Sequence, residues 1–157
     1  MAKQYSYVAQ GEGPNYDWSA DHTFVKVSSA DTGGQYTLME DNLKANFRLG
    51  LHMHRHHAET FYILEGTVDF FVDGDWLSAT PGTCLHIPPG IAHACEMANA
   101  CKAARMLMIF QPSGFDQFLA EMATMAEAEF EDEAKMKALT DKYDIINIGP
   151  MPERPAT

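Results

Sequence analysis

From Thr23 to Phe110 the sequence is cut into short apolar and β-branched runs by Gly, Pro and Asp, and that punctuation constrains the fold more than any other feature. The runs are Thr23–Val27, Gln35–Met39, Thr60–Leu64, Thr67–Val72, Thr83–Ile87 and Ala104–Phe110. Between them stand Asp31-Thr32-Gly33-Gly34, Glu65-Gly66, Asp73-Gly74-Asp75, Pro81-Gly82 and Pro88-Pro89-Gly90. Many short strands separated by turn residues imply a closed or sandwiched all-β fold. Val72-Asp73-Gly74-Asp75 is the expected tight hairpin, because Asp-Gly tolerates the positive φ such turns require.

After Pro112 the period changes. Phe115, Phe118, Leu119, Met122, Met125 and Ala126 recur at helical spacing, with Ser113 and Asp116 as a candidate capping pair. A second helix is expected over Glu131–Lys142, where Glu131–Lys135 and Glu133–Lys137 sit one turn apart. The proline-rich end from Gly149 reads as an extended tail. With 157 residues in all, residues 1–112 read as a β-domain. Residues 113–157 are too few for a separate core and read as a helical extension of the same domain.

Charge narrows the partners. The formal net charge is -11, and the residues after Pro112 hold ten acids against four bases. Such a field repels phosphate backbones and anionic lipid surfaces, so neither nucleic acid nor membrane is an expected partner. The three cysteines, Cys84, Cys95 and Cys101, form no CxxC pair and read as small buried hydrophobes rather than a disulfide framework. MAKQYSYVAQ has no apolar segment behind its early lysine, and no run is long enough to span a bilayer. A cytoplasmic location is the resulting expectation.

Chemistry concentrates in two stretches. In Leu51-His52-Met53-His54-Arg55-His56-His57-Ala58-Glu59, strand period two puts His52 and His54 on one face. A tight turn after them would bring Glu59, at the start of the next apolar run, back beside the two rings. Two imidazoles and a carboxylate suit a divalent first-row metal. The second stretch, Gly82 to His93, turns at Pro88-Pro89-Gly90 and delivers His93 as a fourth ligand. His56 and His57 fall in the turn and are expected in solvent. His86 lies on a run that could line the interior, as a contact to a ligand or substrate. Phe61 and Tyr62 are expected in the core. Phe47, Phe70, Met97, Met106, Met108 and Phe110 are expected to pack the interior, some of them against a pocket.

Together the stretches resemble the paired signature motifs of the cupin superfamily. His52-x-His54, four residues, Glu59, six residues and Gly66 fit the first motif. Gly82, five residues, Pro88-x-Gly90-x-x-His93 fit the second, with fifteen residues between the two motifs. The chain is further similar to small single-domain quercetin-dioxygenase-like cupins. It departs where the motifs usually have Gly and Asn, with Asn46 and Met97 in those places. A shifted register, His54 with His56, leaves only two residues before Glu59 and fits the pattern worse.

The resemblance implies a double-stranded β-helix (jelly-roll barrel) with C-terminal helices packed on it. It implies one divalent transition metal per chain (Fe, Mn, Ni, Co, Cu or Zn) held by His52, His54, Glu59 and His93, with Glu59 also a catalytic proton acceptor. It implies a small-molecule substrate and a homodimer, which would cover exposed sheet edges. Three imidazoles, one carboxylate and a divalent ion sum to about +1, a charge that favours an enol, phenolic or diketone-like oxygen donor. The activity implied is O2-dependent cleavage by a metal-dependent dioxygenase. A non-oxidative isomerase or lyase and a non-catalytic small-molecule sensor are the alternatives.

Overall fold

The computed structural model describes residues 5–155; residues 1–4 and 156–157, including the start of the stretch read for a signal, lie outside the described residues. Eleven strands and three helices follow one another along the described chain. The strands are β1 (Asn15–Asp17), β2 (Asp21–Val27), β3 (Thr37–Lys44), β4 (Arg48–Met53), β5 (Ala58–Glu65) and β6 (Val68–Val72), then β7 (Asp75–Ala79), β8 (Cys84–Ile87), β9 (His93–Met97), β10 (Ala103–Gln111) and β11 (Ile146–Gly149). The helices are α1 (Ser29–Thr32), α2 (Phe115–Met122) and α3 (Glu133–Lys142). They form two antiparallel sheets, in the orders β1-β2-β3-β10-β5-β8 and β11-β4-β9-β6-β7. The arrangement is a jelly roll whose two sheets are not hydrogen-bonded to each other into a closed cylinder.

Strand β10 shows why the sequence folds this way. Ala104, Met106, Met108 and Phe110 are buried, and the residues between them face outward. That period of two lays one apolar row against the core. On the outer face Arg105 reaches Glu40 at 3.2 Å and Glu65 at 2.5 Å, tying together the two strands that flank β10. The Val72–Asp75 hairpin has φ of 49° at Asp73 and 97° at Gly74, the two positive values such a turn needs.

Gly66 ends β5 at φ 74°, where an added Cβ would stand 2.5 Å from the Ala103 carbonyl oxygen and 2.7 Å from the Ala104 Cβ. Gly66→Ala is therefore expected to cost about 1–2 kcal/mol from backbone strain alone, read as a lower urea midpoint with an unchanged m-value. An unaltered midpoint would refute the account. Asn46, by contrast, sits in a turn without positive φ, so the usual glycine is not required there. Met97 is buried, and its N–H donates to the Phe47 carbonyl at 3.1 Å.

The C-terminal helices close one end of the sandwich. Phe115 stacks on Phe110 with centroids 4.1 Å apart, and Phe118, Leu119 and Leu139 join the core. Several local expectations need correction. The cap of α2 is Gly114, which has no side chain to offer the helix; its own N–H donates to the Thr37 hydroxyl at 3.2 Å. Asp116 instead accepts from the Ser29 N–H at 2.9 Å, the Ser29 hydroxyl and the Thr37 hydroxyl at 3.3 Å, so a long-range pairing displaced the local one. The second helix starts at Glu133, capped by Asp132, after a short 3-10 turn over Glu127–Glu131. Its lysines pair differently from the expectation: Lys135 with Glu129 at 2.8 Å and Lys137 with Asp141 at 2.5 Å. The tail ends on the second sheet, where Arg154 binds Asp69 and lies 4.3 Å over the Trp76 ring.

Tyr62 is 43% exposed, because Phe61 and Ile63 take the inward positions on β5. Cys84 is exposed and Cys101 half-buried, leaving Cys95 as the buried thiol. Among the described residues no helix is long and apolar enough to cross a membrane.

Candidate metal centre

His52 lies on β4 directly opposite His93 on β9, the register that puts their rings 4.3 Å apart. His54 follows two residues later, after β4 ends, on the same inward face. Glu59 comes from β5 in the other sheet, so the group bridges the two layers. All four side chains are buried, and one ligand atom from each lies within 4.8 Å of all the others. Donors about 2.0–2.2 Å from one ion are at most about 4.4 Å apart. The set is thus within a few tenths of an ångström of that requirement.

The hydrogen bonds behind the rings decide which nitrogen is free. His52 Nδ1 faces the Gly50 carbonyl at 2.9 Å, His54 Nδ1 the Asp144 carbonyl at 2.8 Å, and His93 Nδ1 the Ile91 carbonyl at 2.9 Å. A carbonyl only accepts, so each Nδ1 carries the proton and donates it. Each neutral ring then turns a bare Nε2 inward, the form a metal takes. His93 Nε2 and His54 Nε2 approach Glu59 Oε2 at 2.5 and 3.1 Å. Three imidazoles around one buried carboxylate need positive charge among them. A divalent cation supplies it without disturbing the bonds behind the rings, so the donor set fits such an ion.

Electrostatics agree. Burial, helped by His93 nearby, pushes His52 down to about 4. Burial acts against charge on His54 too, but the hydrogen bond and charge of Glu59, with the Asp144 carbonyl, raise it overall. For Glu59 burial is outweighed by the bonds from His54 and His93, which hold its carboxyl well below the usual range. Burial, with the charge of Glu59 added, pushes the Cys95 thiol well up, so Cys95 stays protonated beside the cluster.

The remaining candidates fall in different places. His56 is exposed, as expected. His57 is not: it is half-buried, and its Nδ1 lies 2.8 Å from Asp144 Oδ2. His86 points outward from β8 to the Thr60 hydroxyl at 2.8 Å, away from the cluster. Asp144 is the residue that sequence reasoning missed. Besides its carbonyl bond to His54, its carboxylate accepts from the N–H groups of Arg55, His56 and His57 at 3.0, 2.7 and 3.2 Å. No local pattern announces a contact spanning some ninety residues; the one faint signal is an aspartate, a residue tolerant of left-handed backbone, at φ 61°.

His52, His54 and Glu59 of the cluster form part of the wall of a cavity of about 370 Å³, within the range of ligand sites. Phe47, Phe61, Met106, Met108 and Phe110 line it, joined by Phe115, Phe118 and Met122 of α2. Phe70 and Met97 pack elsewhere in the core.

An antiparallel jelly roll with a buried three-histidine, one-glutamate cluster beside an apolar cavity defines a small β-fold protein with a candidate metal site. Comparison supports the resemblance: the cupin-domain family model matches residues 42–110, less than half of the chain. It is similar to quercetin 2,3-dioxygenase of Bacillus subtilis (strain 168), 28% identical over 94 residues, 60% of this chain and 27% of that protein. The chain thus spans about a quarter of the length of that curated relative. Among solved structures it is similar to KdgF from Halomonas sp. (TM-score 0.63, 14% identity, 72% of this chain and 98% of that one). It is also similar to Pac13, a nucleoside dehydratase of Streptomyces (TM-score 0.59, 12% identity, 96% and 95% covered). At such identities the two structures speak for the fold alone.

Proposed function

We propose that this protein is a metal-dependent dioxygenase acting on a small enol, phenolic or diketone-like compound, with one divalent ion held by His52, His54, Glu59 and His93. The observation that carries the reading is the convergence of three inward Nε2 atoms and one carboxylate beside an apolar cavity. Partial likeness to a quercetin 2,3-dioxygenase supports the oxidative branch. A bound ion of Fe, Mn, Ni, Co, Cu or Zn would supply Lewis acidity and, in the redox-active cases, electrons for reaction with O2. The chain's own residues do the rest. Glu59 Oε2 would accept the proton of an enol entering the cavity, and the imidazoles, with Nδ1 protons tied to carbonyls, would stay oriented. The Phe and Met walls orient a flat substrate and exclude water.

Oxygen uptake by protein loaded with each metal in turn, against flavonols and β-diketones, tests the proposal. Uptake that requires both metal and substrate is expected, and Glu59→Gln should reduce it about 10²–10⁴-fold, the usual contribution of a general base. No uptake in any metal form across the panel would defeat the oxidative reading. A Lewis-acid lyase or isomerase is the second reading, favoured by a donor set that suits a redox-inert ion such as zinc equally well. Substrate turnover by the zinc form under strict anaerobiosis would select it.

A further inference from the structure

The cavity has a second polar end. Asp41 on β3 is 2% exposed, yet it lines the cavity with Asp21, Thr23 and Trp18. The Thr23 hydroxyl donates to Asp41 Oδ1 at 3.0 Å, and the Asp21 carboxyl lies within hydrogen-bonding reach of it. Lys44, whose charge Asp21 feels, is committed to Asp17 at 2.6 Å. Trp18 lines the same cavity, and its indole Nε1–H is buried with no partner among the described residues.

Strand register places this end relative to the cluster. Asp41 stands opposite Met106 on β10, and Glu59 stands opposite Phe110 on the same strand. Met106 and Phe110 both face inward and are four residues apart, so both acids look into one cavity. Their backbones are separated by about 13 Å along β10 and about 10 Å across the sheet. The wall between is apolar: Phe61, Met106 and Met108.

We propose that Asp41 and Asp21, with the Trp18 N–H, form a distal recognition pole that hydrogen-bonds a hydroxyl on the far end of an extended, flat, metal-chelating phenol or enol. This assignment rests on the chelating role proposed for the histidine cluster and adds what the other end of the substrate must carry. The chemistry suits it. Two carboxyls in contact in an apolar cavity share a proton rather than both ionise. Burial, then the charge of Asp21, push Asp41 up to about 7. The pair therefore offers a donor and an acceptor together, and the indole adds a second donor. A hydroxyl satisfies the acid pair, whereas an apolar end would leave it buried and unmatched.

Calorimetric titration of the zinc-loaded full chain tests this without turnover. One probe is flavonol, which offers only its chelating enol and carbonyl; the other is the same compound with one hydroxyl added para on its pendant ring. The hydroxylated probe should bind wild-type protein about tenfold more tightly. Asp41→Ala and Asp21→Ala should erase that preference while leaving flavonol's own affinity within about twofold. Trp18→Phe should reduce the preference partly. Equal affinity of the two probes for wild-type protein, or equal losses for both probes in the Asp variants, would overturn the recognition pole alone. Binding of neither probe to protein shown to hold zinc would overturn the chelating role of the cluster and this inference with it.

Discussion

His93→Ala is expected to weaken zinc binding by more than about a hundredfold, the largest single effect that any substitution at this centre should produce. Loss of a residue that merely supports a ligand costs about 10–100-fold in metal affinity, and His93 would be a ligand itself. Its ring stands opposite His52 in register and within 2.5 Å of Glu59, so nothing nearby can replace it: His86 faces away and His57 is tied to Asp144. The readout is the gain in melting temperature on adding metal, which separates ligation from general damage. At a hundred times its dissociation constant, zinc stabilises the wild-type chain by about 2.7 kcal/mol. For a protein of this size that is about 5–10 °C. The variant should gain nothing at the same zinc concentration, even though its metal-free melting point also falls. His86→Ala is the control and should match wild type in both respects. A full zinc-dependent gain in His93→Ala would remove this residue from the centre.

The centre was legible in the sequence where local rules fix geometry. Strand period two puts His52 and His54 on one side whatever the rest of the chain does, and Pro88-Pro89-Gly90 compels the turn that releases His93. Glu59 needed only a tight turn to return beside them. Where the outcome depends on distant partners, the same reasoning failed. Ser113 and Asp116 satisfy the local capping pattern, but Ser29 and Thr37, some eighty residues earlier, gave Asp116 better partners. The helix lysines met Glu129 and Asp141 rather than the glutamates one turn before them, because surface ion pairs differ by fractions of a kcal/mol and small changes of geometry decide among them. Tyr62 looks like a core residue by its type, although the alternation through Phe61 and Ile63 already points it outward. The distal acids are the instructive case: Asp21 and Asp41 fall just outside the apolar runs Thr23–Val27 and Gln35–Met39, and only the sheet register makes them face the cavity.

Asp144→Ala is the second large effect expected, a loss of about 10–100-fold in zinc affinity from a residue that contributes no metal-facing atom. The reasoning starts from the backbone of the segment after β4. Residues 55–57 must reverse the chain so that Glu59 returns to His54, which leaves three N–H groups converging with no strand to pair with. The Asp144 carboxylate takes all three and the His57 ring as well, while its carbonyl fixes the His54 ring. One residue of the C-terminal segment thus sets both the turn and the tautomer of a candidate ligand. Burial opposes the charge of Asp144, but the His57 ring and the backbone donors outweigh it and hold the carboxyl down to about 2, against an ordinary 3.8. A carboxyl lowered in the folded state contributes stability in full above about pH 4, and that contribution fades as pH falls through about 2. Wild-type stability should therefore decline over that acid window more steeply than that of Asp144→Ala, which has nothing to lose there. Asp144→Asn keeps a residue that tolerates left-handed backbone but trades an accepting oxygen for a donor, and it should fall between the two in zinc affinity. If Asp144→Ala melts lower yet binds zinc as wild type does, the carboxylate only braces the turn, and the backbone carbonyl at position 144, which the substitution keeps, is enough to orient His54.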